Sequence, residues 1–549
     1  MEDSKKPSRI IEASPQPEMF SDLPPPGRKK APFTKGFVRP DPELLFVGHQ
    51  RLKDFLVHAG LDLPLQIREM VNEVDFTVFE SKYEMNGRAP YHPAIIMGLV
   101  IYGIIKNQGS LRQLEVLARA DLGAHWITGG VMPDHSTIGR FLEIHTDAIT
   151  TDFFENLTRG LLKRVGQPTT EWAIDGTVVE SAANRFRTLK LDAAKEIMAE
   201  FDGQKPSEDS TEPPGDDLPP LMGESSNNPT LGKKTRSTLK PDKLKRAIET
   251  GETNVERRRV NGADPKKVQV CTTDPEAMIL LTKQGVYRPA YMASFATTCF
   301  RMIIGYALHQ YSETQPVDDL LSQATRVAGP PENVLMDTGY HTVAIAQTAE
   351  NHGAYLICPP KPSTLKRTSK KAFFSKHLDF QYLPDDDAYR CPAGETLNFK
   401  SIRNDKRRGT SGRIYCTKPS ICQSCPLRDQ CTPKHRRIMR SADEHLLENL
   451  RRIHAIPENQ ALYSKRLGSV EPVIGALKSN QGLTRFSRFG KRSTTLELCL
   501  HACAHNVKRA AALVRFWLVL RVLEAIVEAR RLSISFQQRF LQNGAQLTF

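Results

Sequence analysis

At EWAIDGTVVESAA, residues 171–183, the apolar pattern of this chain changes period, and the change divides what can fold on either side of it. Upstream, from about Asp41 to Val165, apolar residues recur at three- and four-residue spacing, as in YHPAIIMGLVIYGIIKNQGSLRQLEVLARA, which predicts helices with a buried face. Within the segment, Trp172, Ile174, Val178 and Val179 flank Asp175 in a short β-rich run. Further strand-like runs, YMASFATT and FRMIIGYALHQY, lead to a helical VDDLLSQATRVA, then NVLMDTGY, then helix and strand in HTVAIAQTAENHG and AYLICPP. Strands followed by alternating helix and strand predict an α/β domain whose mixed sheet is flanked by helices, behind an all-α N-terminal domain.

With 549 residues the chain exceeds what one hydrophobic core supports. The expected divisions are a flexible basic arm rich in Pro and Lys/Arg at 1–40, a helical domain at 41–165, the α/β domain at 166–510, and a helical C-terminal segment at 511–549. Residues 203–230 are acidic and Pro/Ser-rich and cannot bury enough apolar surface to offset the entropy of ordering, so a disordered insertion is expected there, followed by a charged helix from about Lys240 to Arg259. A second insertion, 361–445, holds five of the ten cysteines. In the helical domain Pro93 suits a first helical residue, Asn107 to Gly109 a stop, and Asp134 or Ser136 an N-cap. Turns at Gly109 and Gly129-Gly130 allow a helix-turn-helix that meets DNA.

A net charge of +14 points to a polyanionic partner, nucleic acid ahead of an anionic membrane surface. The apolar stretch from Ala510 to Val527 carries Arg515, Arg521 and Glu524, charges costly in lipid, and so reads as a buried or partner-facing helix. The first twenty residues lack the apolar core of a secretory signal, which predicts a cytoplasmic protein with reduced cysteines. In that compartment clustered cysteines suggest metal binding. Cys422, Cys425 and Cys431 form a C-x2-C-x5-C run, with Cys391 or Cys416 as the fourth thiolate; four thiolates close the coordination sphere of a structural zinc. No G-x-x-x-x-G-K-[ST] loop is present, which leaves NTP hydrolysis without support.

Asp175 and Asp337 each follow apolar strand residues, WAID and VLMD, and each precedes a Gly or Thr-Gly expected to turn the chain away. Two carboxylates so placed can converge at one edge of a sheet and bind a hard divalent cation. Glu471 precedes Pro472, with Lys478 seven residues on. A helix starting near Glu471, with Pro472 in its first turn, puts carboxylate and ammonium along one face, the first toward metal and the second toward a phosphate. The basic runs KRTSKKAFFSKH, RNDKRRGTSGR, PKHRRIMR and RFSRFGKR fit a path for a phosphate backbone. Phe486 and Phe489 suit base stacking or core packing. His501 and His505, one turn apart, read as packed, hydrogen-bonded side chains in preference to a metal pair.

IDGT around Asp175, TDPEA from Thr273, MDTGY around Asp337, and the set Tyr463, Arg466, Glu471, Lys478 together resemble the DDE transposases of bacterial insertion sequences, which have a ribonuclease H-like catalytic core. The segment from YHPAIIMGLVIYG to PDHSTIGRF resembles the helical domain that precedes such cores, so the resemblance covers most of residues 41–510. The familiar signature has three residues between Arg and Glu; this chain has four, LGSV. The resemblance implies catalysis by Asp175, Asp337 and Glu471 with two Mg²⁺ or Mn²⁺ ions, and phosphate contacts from Tyr463, Arg466 and Lys478. It favours Cys391 beside Cys422, Cys425 and Cys431 around zinc. The implied partners are double-stranded DNA, as terminal inverted repeats and target, and a second copy of the chain, acting in the cytoplasm on the nucleoid. Two other classes stand beside it: a non-catalytic DNA-binding descendant, and a nuclease that cuts without joining.

Overall fold

The computed structural model describes residues 36–83, 89–184, 186–203, 239–260, 262–361, 374–376, 379–405, 410–431 and 435–544. Nearly all of the expected basic arm and of the acidic insertion lies outside these residues, as do parts of the basic runs KRTSKKAFFSKH, RNDKRRGTSGR and PKHRRIMR.

PAIIMGLVIYGII has no polar face, and the helix it forms, Pro93–Ile105, is buried along its whole length. His92 Nδ1 accepts from the Ala94 N–H to cap it, and Asn107, at φ 57°, ends the turn that follows. Around it pack helices Leu63–Asn72, Leu111–Ala120 and Leu122–Thr128. Gly103 lets Leu114 in: a Cβ there would lie 2.2 Å from Leu114 Cδ2. Ser110 and Gln113 form a capping box on the Leu111–Ala120 helix, and Asp134 caps His135–Ile144 by accepting from the Thr137 N–H.

The α/β domain is built on a six-stranded sheet, in which Met278–Leu281 pairs antiparallel with the start of the long strand Tyr287–Thr298 and the five strands that shape the site are β1 (Glu171–Glu180), β2 (Tyr287–Thr298), β3 (Ile303–His309), β4 (Asn333–Leu335) and β5 (Tyr355–Ile357). They lie in the order β3-β2-β1-β4-β5, with β1 antiparallel to β2, β2 antiparallel to β3, and β1, β4 and β5 mutually parallel. Helix Val317–Ala328 connects β3 to β4 and Val343–Asn351 connects β4 to β5. This is a ribonuclease H-like mixed sheet. One insertion, between β1 and β2, places helices Leu191–Gly203 and Pro241–Val260 over a two-stranded ladder, with its own apolar cluster around Leu189, Leu244 and Val270. The other, after β5, is a five-stranded antiparallel sheet over a small core of Phe380, Tyr389, Leu397, Tyr415 and Ile438.

Helix Lys491–Gly544 runs unbroken past residue 510 and joins the two domains. Its Asn506, wholly buried, takes the place of a strand at the edge of β3: its Oδ1 accepts from the Ile303 N–H at 2.8 Å, and its Nδ2 donates to Ile303 O at 2.7 Å and Thr158 Oγ1 at 3.2 Å. An Asn506→Leu change leaves both backbone groups of Ile303 buried without partners and is expected to cost about 3 kcal/mol in urea unfolding. Among the described residues no helix is long and apolar enough to cross a membrane.

Buried histidines give this packing a pH dependence. Burial pushes His145, His501 and His505 down to about 4. The unfolded chain protonates such side chains near pH ~6.5. Between these values the unfolded state therefore binds more protons, and stability present above about pH 6.5 is lost as the pH falls toward 4. Denaturation midpoints recorded from pH 7 to pH 4.5 are expected to decline; a flat profile contradicts the assignment.

Candidate active site

Asp175 and Asp337 meet because of register. In the parallel ladder Ala173 pairs with Leu335, and each Asp stands two residues beyond that pair on its own chain. At Asp337 the chain turns as expected: Oδ1 accepts from the Gly339 N–H at 2.8 Å and caps a single helical turn, Thr338–Tyr340. At Gly176 it does not, because β1 continues antiparallel to β2 as far as Glu180. Gly176 serves a different purpose: its missing side chain leaves room for Glu313. A Cβ at Gly176 would lie 3.0 Å from Glu313 Cβ, and one at Gly339 would lie 2.9 Å from Glu313 Oε1.

Glu471 arrives on helix Arg466–Ser479, which packs on β1 and β2. The helix begins five residues before Glu471 instead of at it, and Pro472 sits in its interior. A proline there cannot donate to the carbonyl four residues back, that of Gly468. Arg301 supplies the missing donor: its Nε donates to Gly468 O at 2.8 Å. Arg301 is held for this in the tight turn between β2 and β3 at φ 65°, where its own carbonyl accepts from His505 Nε2 at 2.9 Å. Arg301→Ala is expected to cost about 1–3 kcal/mol. In a Pro472→Ala background, where a backbone N–H reaches Gly468 O, the cost should shrink, because strain at residue 301 cancels in the cycle. Equal losses in both backgrounds would sink this account.

Arg466 opens the same helix and is only 5% exposed. Its guanidinium lies 3.1 Å from Asp175 Oδ2 and 3.8 Å from Glu471 Oε1, linking strand to helix. Farther along, Lys478 Nζ donates to Val178 O at 2.9 Å, and burial lowers its pKa. Lys478 thus anchors the helix to β1. Tyr463, half-buried on helix Pro457–Ser464, stacks edge-on against His454 at 5.8 Å; burial raises its hydroxyl, with the charges of Arg466, Asp337 and Asp175 in range.

Burial pushes the Asp175 carboxyl above its ordinary value against the opposing pull of Arg466. Glu313 is pushed up as well, by burial first and then by Asp337 and Asp175. Glu313 went unread in the sequence, where an acid between strand and helix in HQYSETQPVDDLL looks like a cap. Beside it Tyr340 is wholly buried and its hydroxyl lacks a hydrogen-bond partner among the described residues.

The donor set is all oxygen, which suits a hard divalent cation, and its like charges exceed what Arg466 balances. Among the described residues no three Asp, Glu, His or Cys side chains are arranged to hold a metal ion. Cys391, Cys422, Cys425 and Cys431 line one cavity, and the pKa of Cys431 is raised by burial, with the other three thiols also raising it. Cys416, at the end of strand Thr410–Cys416, does not line it.

In the RFSRFGKR loop, Arg485 is spent on backbone carbonyls, with Nε on Ser181 O at 3.0 Å and Nη2 on Ala182 and Ala183. Phe486 is core, while Phe489 is half-exposed. Asp274 of TDPEA is buried, accepting from Tyr291 Oη at 2.8 Å and from the Gly490 N–H at 3.1 Å. His501 and His505 are each hydrogen-bonded, to Gln481 and to Arg301 O.

The family model described as "Transposase DDE domain" matches residues 390–511, and that described as "Transposase domain (DUF772)" matches residues 62–143. The first covers the cysteine cluster and the Glu471 helix, the second the buried Pro93–Ile105 helix and its neighbours. No curated protein and no solved structure matches significantly.

Proposed function

This chain belongs to the insertion-sequence DDE transposases, and from that premise we propose that it cuts DNA at the ends of its element and joins the freed 3′ ends to target DNA at Asp175, Asp337 and Glu471. One observation carries the reading: two aspartates stand at matching positions, each two residues beyond the Ala173–Leu335 pair of adjacent parallel strands, and a buried arginine ties the first of them to the helix that bears the glutamate.

Asp175, Asp337 and Glu471 would hold the divalent ions, Mg²⁺ or Mn²⁺. When bound, two such ions supply an activated water for in-line attack and charge stabilisation for the departing 3′ oxygen. Arg466 keeps Asp175 and Glu471 together and offers positive charge to a phosphate. Lys478 and the Arg301 bond to Gly468 fix the angle at which the helix presents Glu471. Tyr463 lines the approach from the preceding helix. Because a freed 3′-hydroxyl can attack a second phosphodiester at the same site, joining needs no external energy source.

The helical domain and the basic surface bind double-stranded DNA, the terminal inverted repeats and then the target. Two element ends call for at least two copies of the chain, acting on the nucleoid in the cytoplasm. Cys391, Cys422, Cys425 and Cys431 hold a structural zinc that braces the second insertion.

The test is incubation with DNA carrying the inverted repeats that border the coding region, in Mg²⁺ and in EDTA. Metal-dependent nicks with 3′-hydroxyl ends at the repeat boundaries are expected. Binding without any cut favours a non-catalytic DNA-binding protein.

A further inference from the structure

Two glycines and one glutamate make a pattern that the three catalytic carboxylates do not explain. Gly176 follows Asp175 and Gly339 follows Asp337 by two, and neither position has the positive φ that demands glycine. What each lacks is space. A Cβ on Gly176 would meet Glu313 Oε2 at 3.2 Å, and a Cβ on Gly339 would meet Glu313 Oε1 and Asp337 Oδ1, both at 2.9 Å. The Glu313 carboxylate is thus wedged between the backbones that carry Asp175 and Asp337. Among the described residues it makes no hydrogen bond or ion pair, although it is half-buried. A carboxylate withdrawn from water beside two others, with only the Arg466 guanidinium to share among them, is costly unless something positive joins it.

Tyr340 is the second, independent observation. It is wholly buried, its hydroxyl has no partner among the described residues, and Glu313 is the carboxylate that acts on it most strongly, ahead of Asp175 and Asp337. A buried hydroxyl without a partner beside these acids needs one there, and a cation-bound water, a strong donor, supplies a hydrogen bond to its oxygen.

We propose that Glu313 is a fourth carboxylate ligand of the divalent-cation site, and that a water on that cation donates a hydrogen bond to the Tyr340 hydroxyl oxygen. This rests on the reading of Asp175 and Asp337 as metal ligands. The competing structural role is a protonated Glu313 that only fills the gap between two glycines, and glutamine reproduces that role while losing the charge.

The experiment is Mn²⁺ binding to the full chain without DNA, followed through the electron paramagnetic resonance of free Mn²⁺ and through the melting temperature with and without the ion. Glu313→Gln should weaken Mn²⁺ binding roughly tenfold or more. It should leave the melting temperature without Mn²⁺ unchanged or higher, and shrink the gain that Mn²⁺ confers. Glu313→Asp, which keeps the charge, should recover part of the affinity, and Tyr340→Phe should lose a few-fold. If Glu313→Gln binds Mn²⁺ as the parent does while Asp175→Asn loses it, the Glu313 assignment is overturned and the catalytic reading stands. If Asp175→Asn also binds as the parent does, the reading beneath falls, and the proposal with it.

Discussion

An Asp175→Asn protein is expected to fold, to bind DNA and to cut it roughly a hundredfold or more slower than the parent. The separation of effects follows from what the side chain touches. Asparagine keeps the oxygen that accepts from the Gly176 N–H at 2.9 Å, while its NH2 replaces the Oδ2 that faces the Arg466 guanidinium at 3.1 Å. The stability cost is therefore that of the lost Asp175–Arg466 contact, about 2 kcal/mol, with Arg466 left 3.8 Å from Glu471. Chemistry loses more, because a neutral amide is a poor ligand for a hard cation. Asp337→Asn should behave alike, since its cap on the Gly339 N–H also survives. Folding is checked by urea midpoints, binding by fluorescence anisotropy and cutting by gel. A variant that cuts at the parental rate removes Asp175 from the mechanism.

The second large effect concerns the cysteine-rich insertion. Its buried core consists of Phe380, Tyr389, Leu397, Tyr415 and Ile438, too few to hold a five-stranded sheet on their own. A structural zinc contributes on the order of 10 kcal/mol to small domains of this kind. Chelation, or Cys425→Ser, is accordingly expected to expose the backbone amides of strands Thr396–Asp405 and Thr410–Cys416 to hydrogen exchange while β1 and β2 stay protected. Atomic absorption should find one zinc per chain in the parent and in Cys416→Ser, whose thiol lies away from the cavity, and none in Cys425→Ser. Loss of zinc from Cys416→Ser, or its retention in Cys425→Ser, contradicts the ligand set.

The strands and the helices were readable because each buries a continuous apolar run: WAI and VLM ahead of the aspartates, PAIIMGLVIYGII in the helical domain. Periodicity reports burial, and burial built these elements. The misreadings share another cause. Pro472 looked like the first turn of a helix, since a proline inside one leaves a carbonyl without its donor; here the donor is Arg301, 167 residues from the carbonyl it serves. Gly176 looked like a turn, when it makes space for a glutamate from beyond another strand. Arg485 looked like a phosphate contact and is bound to the carbonyls that follow β1. Glu313 gave no local signal at all. Each role is set by a partner distant in sequence, which spacing along the chain does not encode. The cysteine run narrowed the fourth thiol to two, and it took the folding of the insertion to bring Cys391, and not Cys416, to the cavity.

The central claim, that one carboxylate site both breaks and makes phosphodiester bonds, is tested most directly by strand joining. A DNA end pre-cut at its 3′-hydroxyl is mixed with target plasmid, Mg²⁺ and either the parent or Glu471→Gln. Covalent donor–target products from the parent and none from Glu471→Gln are predicted. A parent that cuts intact element ends but leaves the pre-cut ends unjoined is a nuclease, and joining by Glu471→Gln contradicts the site itself.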